Sequence, residues 1–187
     1  MGKDLFEQGD MNKAQEFGWF AVNVFFNRIS KMSSILDGDE VRYYVPMRTV
    51  ESFKDGQKVY EKKQLITSLM FMKCSPKYLV SLKDKFGDSF YVYADIETKQ
   101  PRIIPEKEMD SFILVTSVGD MGLELLPEGT TECKIGDHVR VIDGVFKGAE
   151  GYVKRIQGRK RLIVSIEGVA VVATSYIPRS FLEKIDN

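Results

Sequence analysis

The residues that could carry catalysis are few in this chain of 187 residues. It has one histidine, His138, and two cysteines, Cys74 and Cys133. The cysteines are far apart and stand at no metal-ligand spacing, so a zinc site has almost no raw material. Gly148-Ala-Glu-Gly151 is glycine-rich but lacks the lysine and the following helix of a phosphate loop. His138 sits beside Asp137 at the start of an apolar run and reads as a surface residue, not a poised base. The carboxylates are scattered over polar segments. No nucleophile, base and orienting group fall together, so neither an enzyme nor a cofactor is expected. Two free thiols fit a reducing compartment, and a cytoplasmic location is expected.

Binding chemistry is better supplied. Lys154, Arg155, Arg159, Lys160 and Arg161 span a turn between two β-type runs. Such a cluster is a solvated face, or a site for RNA phosphates or an acidic partner. A second set of charges, among them Lys54 and Lys58, lies on the arms around Lys54-Asp55-Gly56-Gln57. Asp-Gly between alternating segments signals a hairpin. It is read as a ribbon projecting into solvent, with contact to upstream or non-template DNA as the functional alternative. The run Ile66-Thr67-Ser68-Leu69, followed by Phe71, is apolar enough to be either core or a surface that grips another apolar element.

Charge is balanced overall, 27 basic against 27 acidic residues, but unevenly spread. Residues 119–133 hold four acids and no base, together with glycine and proline, and read as a linker. Residues 134–187 carry 10 Lys/Arg against 6 Asp/Glu. That mild excess permits nucleic-acid contact without demonstrating it. No apolar run approaches the ~20 residues of a membrane span. Residues 1–16 are acidic, lack the apolar core of a signal sequence and read as a disordered leader; Met11 is an alternative start.

The elements expected to position these residues fall into two groups. Between residues 17 and 118 the order is strand, short helix, strand, hairpin, strand, helix, strand, helix. Phe17–Phe26 is an aromatic β-type run. Ile29, Met32, Ile35 and Leu36 recur at helical spacing, with Asn27 as the expected N-cap. Leu65–Met72 reads as a buried strand, and Ser75-Pro76 opens a helix bearing Tyr78, Leu79 and Leu82. Pro105 opens the last helix. The implied fold class is α+β, an antiparallel sheet with covering helices. After the linker, strands near 138–142, 150–156, 161–166 and 169–175 imply a small all-β barrel sealed by Phe181-Leu182. Within it, Gly144, Phe146, Gly148 and Gly151 crowd one connection. Glycines so close together mark a tight turn and a bulge, where φ is positive or two backbones approach closely.

That glycine pattern, strand, Gly-x-Phe-x-Gly, x-x-Gly, strand, resembles the KOW motif of NusG-type transcription factors and some ribosomal proteins, with Gly151 at the signature glycine. The N-terminal half resembles the NGN domain of the same family through Trp19-Phe-Ala-Val22, Tyr44-Val-Pro-Met47, Leu69-Met-Phe-Met72 and Pro105. The resemblance covers residues 17 to 187. Its wording is most similar to the UpxY branch of Bacteroides-type bacteria, through Tyr44-Val-Pro-Met-Arg48, Ile104-Pro-Glu-Lys-Glu-Met109 and Val172-Ala-Thr-Ser-Tyr-Ile-Pro-Arg-Ser-Phe181.

The resemblance implies a monomeric elongation and antitermination factor for long polysaccharide operons, docking on the β′ clamp helices of RNA polymerase. It implies polymerase contacts at Asn23, Ile66, Thr67, Leu69 and Phe71, although the housekeeping Phe-Pro-Gly-Tyr motif is replaced here by Ile66-Thr67-Ser68-Leu69. It implies barrel partner contacts at Val145, Phe146, Ile166, Glu167 and Val169, with a ribosomal protein or Rho as partner. Glu167 replaces an apolar family residue, and Phe146 is either an exposed anchor or a plug of the barrel. Nascent RNA or non-template DNA is the implied nucleic-acid partner. An RNA- or ribosome-binding protein without polymerase activity is the alternative.

Overall fold

The computed structural model describes residues 17–95, 97–119, 122–127 and 136–185. The expected leader, and most of the expected linker, lie outside these residues. The chain forms two compact units: Thr67–Glu106 with the residues up to Val45, and Pro46–Ile66 with the residues from Lys107 onward.

The first unit is built on a four-stranded sheet. Its strands are β1 (Gly18–Val24), β2 (Tyr43–Tyr44), β5 (Leu69–Cys74) and β6 (Phe90–Val92), in the order β2-β5-β1-β6. Every pairing is antiparallel. Side chains alternate between faces along a strand. Phe20, Val22 and Val24 of β1 therefore share a face with Met70, Met72 and Cys74 of β5. That face is buried with Ile29, Met32 and Leu36 of α1 (Ile29–Gly38) and Leu79, Leu82 and Phe86 of α2 (Pro76–Phe86). Ser75 caps α2, its hydroxyl oxygen accepting from Tyr78 N at 3.3 Å. Asn27 does not cap α1. It and Phe26 have φ of 55° and 58°, outside the extended backbone of a capping residue, and the helix begins after Arg28 with no side-chain cap.

The second unit contains a hairpin, a helix and a second sheet. β3 (Met47–Lys54) and β4 (Gln57–Gln64) pair across Asp55 and Gly56, whose φ values of 51° and 77° are those of a type I′ turn. α3 (Glu106–Ser117) buries Met109, Phe112 and Val115. The C-terminal sheet has six antiparallel strands: β7 (Glu124–Leu126), β8 (Asp137–Val141), β9 (Glu150–Ile156), β10 (Arg159–Ile166), β11 (Ala170–Tyr176) and β12 (Leu182–Lys184), ordered β12-β8-β9-β10-β11-β7. Val139, Leu162, Val164, Ile166, Ala170 and Val172 share one face and are buried. The mixed α+β class expected from the sequence is the observed one. The acidic stretch differs from its expected form in one respect: residues 124–126 make a strand.

Candidate functional site

The expected polymerase-contact residues divide by burial. Leu69 and Phe71 alternate with the core residues of β5, and so lie on the opposite face of the sheet with Trp19 and Ala21. All four are buried there, Leu69 and Phe71 at 0 % exposure. They are core residues in this structure, not the solvent-facing floor of an open groove. Alternation within one strand does not reveal that this second face is buried at Leu69 and Phe71 while it carries accessible Asn23 and Tyr91 beside them.

Asn23 and Thr67 are accessible. Thr67 is exposed in the turn entering β5, where Val24 N donates to Ser68 O at 2.8 Å. Asn23 opposes both Leu69 and Tyr91 and donates through Nδ2 to Tyr93 Oη at 3.0 Å. Tyr91 is 51 % exposed, its ring edge-on to Tyr93. Asn23, Tyr91 and Tyr93 therefore form a polar–aromatic rim where β1 meets the edge strand β6. The two tyrosines were not singled out by sequence; a Tyr-x-Tyr alternation on an edge strand is the signal that could have found them. Ile66, half-buried, belongs to the second unit.

Toward the other end of β1, Trp19 Nε1 donates to Glu106 Oε1 at 3.3 Å and Lys73 Nζ donates to both Glu106 oxygens, at 3.0 and 2.9 Å. The hydrogen bond from Lys73, then that from Trp19, holds the Glu106 carboxyl below its usual range against the opposing effect of burial. Cys74 is buried, and desolvation pushes its thiol up to about 12.

In the hairpin, Lys54 pairs with Glu61 at 2.5 Å and Lys58 with Glu51 at 2.8 Å. The pairing raises the Lys54 pKa and lowers that of Glu61. Their charges are largely compensated on the ribbon. What the sequence reading missed is its aromatic face. Phe53 opposes Lys58 and Tyr60 opposes Glu51, so both rings lie on one side, 70 % and 59 % exposed.

The glycine-rich connection runs from β8 to β9. Gly144 and Gly148 have positive φ, 82° and 98°. At Gly151 the requirement is space: a Cβ there would collide with the Ile163 carbonyl oxygen of β10. Glu150 beside it accepts from Arg140 at 2.6 and 2.9 Å, and its backbone N–H donates to Ser111 Oγ of α3 at 3.0 Å. Of the expected partner contacts, Val145 is 70 % exposed and Glu167 is exposed, whereas Phe146, Ile166 and Val169 are buried at 4 %, 0 % and 4 %. Phe146 is thus packed and is not an exposed anchor. His138, expected at the surface, is half-buried and stacks on Tyr152 at 4.9 Å.

The basic cluster also divides. Arg155 and Lys160 directly oppose each other across β9 and β10, with Arg159 exposed beside them. Among the described residues these three have no acidic partner. Like charges directly opposite each other destabilise a strand pair. Arg161 is different: its side chain is only 11 % exposed and its guanidinium is bound to Glu124 and to backbone carbonyls. It is not a free surface cation.

No group of three metal-binding side chains occurs among the described residues, and no helix there is long and apolar enough to cross a membrane. A helix-covered sheet, a charged hairpin and a six-stranded all-β sheet define a protein of α+β class. Residues 17–113, more than half of the chain, match the family described as "Transcription termination factor nusG", and the chain belongs to the NusG family. Proteins of this family are transcription factors and generally bind RNA polymerase. Among solved structures the chain is similar to one described as "Domain interaction in Thermotoga maritima NusG", with 18% identity over 92% of this chain and 99% of that one, at a TM-score of 0.45. No curated sequence matches the chain.

Proposed function

We propose that the chain is an elongation and antitermination factor that docks on the β′ clamp helices of RNA polymerase through residues 17–118, with the KOW-type C-terminal sheet recruiting a further partner or nucleic acid. The observation that carries this reading is the family match over residues 17–113. The accessible part of the matched segment supports it: Asn23, Tyr91, Tyr93 and Thr67 offer aromatic and hydrogen-bonding groups on rigid strand ends. Tyrosines of this kind make good anchors, because much area is buried for little lost side-chain freedom. The resemblance of Tyr44-Val-Pro-Met-Arg48 and Val172–Phe181 to the UpxY branch supports long polysaccharide operons as targets.

Arg155, Arg159 and Lys160, which have no acidic partner among the described residues, favour nascent RNA or non-template DNA as a second ligand, since such cations lose little internal pairing on meeting phosphate. Capture of core polymerase by the full chain tests the main reading. Tyr91→Asp and Thr67→Asp should each weaken capture at least tenfold while leaving the urea midpoint unchanged. Undiminished capture by both variants would move the interface elsewhere. RNA binding without any polymerase capture would replace this reading with that of an RNA- or ribosome-binding protein.

A further inference from the structure

The acidic stretch between the two expected domains contributes a strand, and the way it is held describes a site. β7 is three residues long, Glu124–Leu126, and pairs antiparallel with Val171–Ala173 of β11. It covers the edge of β11 that β10 leaves open. Pro127 follows at once and cannot donate to a ladder.

Arg161 is aimed at that edge by a defect in the neighbouring ladder. Ile163 opposes Ala173, but Arg161 opposes Tyr176, so β11 carries one extra residue between them. Such a bulge re-aims side chains. Thr174, 0 % exposed, repairs it, its hydroxyl oxygen accepting from Leu162 N at 3.1 Å and its O–H donating to Ser175 O at 2.8 Å.

The Arg161 guanidinium then reaches across β11. It donates to the carbonyls of Thr174 and Ala173, the latter at 3.1 Å, and both belong to β11 itself. Its remaining donors go to the covering segment, at 2.6 Å to Glu124 Oε2 and 2.7 Å to Gly122 O. The fork is thus fixed by the sheet and presented to whatever lies on the edge, an arrangement suited to a carboxylate. Beside it is an apolar floor of Ile163 and Ala173, 1 % and 0 % exposed, against which Leu126 packs together with Ile156 and Val171. Glu124 and Leu126 are two residues apart on one strand and so meet the fork and the floor on the same face. Leu125 between them points away, 42 % exposed.

We propose that the β11 edge is a docking site for an extended partner segment carrying a carboxylate two residues before an aliphatic side chain, and that Glu124–Leu126 fills it in cis until such a segment displaces it. The bound strand itself defines the partner's chemistry: antiparallel backbone pairing for affinity, with the fork and the floor for specificity. A strand of three residues on an edge belongs to the least stable class of element, so exchange is physically accessible. The inference is independent of polymerase binding.

The test uses the full chain and a fluorescein-labelled peptide with the sequence of residues 119–130. In the unaltered protein the tethered strand, at an effective concentration on the order of millimolar, should exclude the peptide. Leu126→Asp should release the strand and allow the peptide to bind, read by fluorescence polarisation. Adding Arg161→Gln, or replacing the peptide's Glu124 by glutamine, should weaken that binding on the order of tenfold or more. Amide exchange provides the control: β11 amides facing β7 should lose protection in Leu126→Asp and regain it with peptide, while β9–β10 amides stay protected. If Leu126→Asp unfolds the whole sheet, Glu124→Gln replaces it, and peptide binding must then rise above that of the unaltered chain. Released β11 amides with no peptide binding, binding indifferent to Arg161 and to the glutamate, or β11 amides that stay protected in both variants would each overturn the proposal.

Discussion

Leu69→Ala separates core from interface on the strand where the two are hardest to distinguish. Leu69 is 0 % exposed on β5, opposite Asn23, on the face it shares with Trp19 and Phe71. Truncation removes the buried branched end of the side chain and leaves a cavity that close-packed neighbours fill only in part. For leucine the cost is about 2–5 kcal/mol. About 3 kcal/mol against a total stability of about 5–15 kcal/mol is a large share. For a chain of this size it lowers the melting temperature by roughly 6–12 °C. The assay is urea denaturation followed by fluorescence of Trp19, the single tryptophan, which is 1 % exposed in the same sheet. The midpoint should fall with the slope unchanged. Thr67→Ala, two residues away and exposed, should stay within about 0.5 kcal/mol. Below its melting temperature, Leu69→Ala should capture polymerase like the unaltered chain. A destabilisation under about 1 kcal/mol would refute the packing argument, and would return Leu69 to the interface if polymerase capture fell at the same time. Leu69→Asp, which an open groove would tolerate before binding, should instead unfold the unit, because it buries an unpaired carboxylate.

Gly151→Ala should destabilise the C-terminal sheet by about 1–3 kcal/mol or more, because the obstacle is the Ile163 carbonyl and backbone yields less than a side chain; thermal unfolding followed by circular dichroism checks this, and a neutral result would contradict the close approach. In a Cys133→Ser chain, the Cys74 thiol, pushed up to about 12 by burial, should react with thiol reagents at pH 8 only as fast as the protein opens; rapid native labelling would show the site to be accessible. The Glu106 carboxyl is held below its usual range in the folded state, so its contribution is present above about pH 4 and is lost as pH falls through the folded value. Glu106→Gln should therefore flatten the acid limb of the stability profile and shift Trp19 emission; an unchanged acid limb would argue against the Lys73–Glu106–Trp19 network.

Local chemistry was legible in the sequence. Asp55-Gly56 specifies its turn through the backbone it favours, Ser75-Pro76 specifies a helix start, and the spacing of Ile29, Met32 and Leu36 specifies one buried face. What was not legible depends on partners distant in sequence. Alternation along β5 tells which residues share a face but not that Leu69 and Phe71 are buried on theirs. Phe146 in a glycine-rich turn looks equally like an anchor and a plug until its 4 % exposure is known. Arg161 sits within a basic run, and only the bulge opposite it turns it away from its neighbours. The acidic composition around Glu124 gives no sign of the one guanidinium that selects it.

The same distinction bears on where a polymerase or nucleic-acid contact can lie. On the first unit the accessible groups beside the buried Leu69 and Phe71 are Asn23 of β1, Tyr91 of β6, Tyr93 just after it, and Thr67 from the turn before β5. For the cations the criterion is compensation, not count. Lys54 and Lys58 each already hold a carboxylate, so a phosphate must displace an internal partner to engage them, and the net gain is small. Arg155 and Lys160 repel each other across the ladder, so an anion placed between them removes a cost as well as adding attraction. Salt-dependent nucleic-acid binding should accordingly follow substitutions at the β9–β10 turn far more steeply than substitutions of the two hairpin lysines, even though the hairpin looks the more charged of the two in sequence.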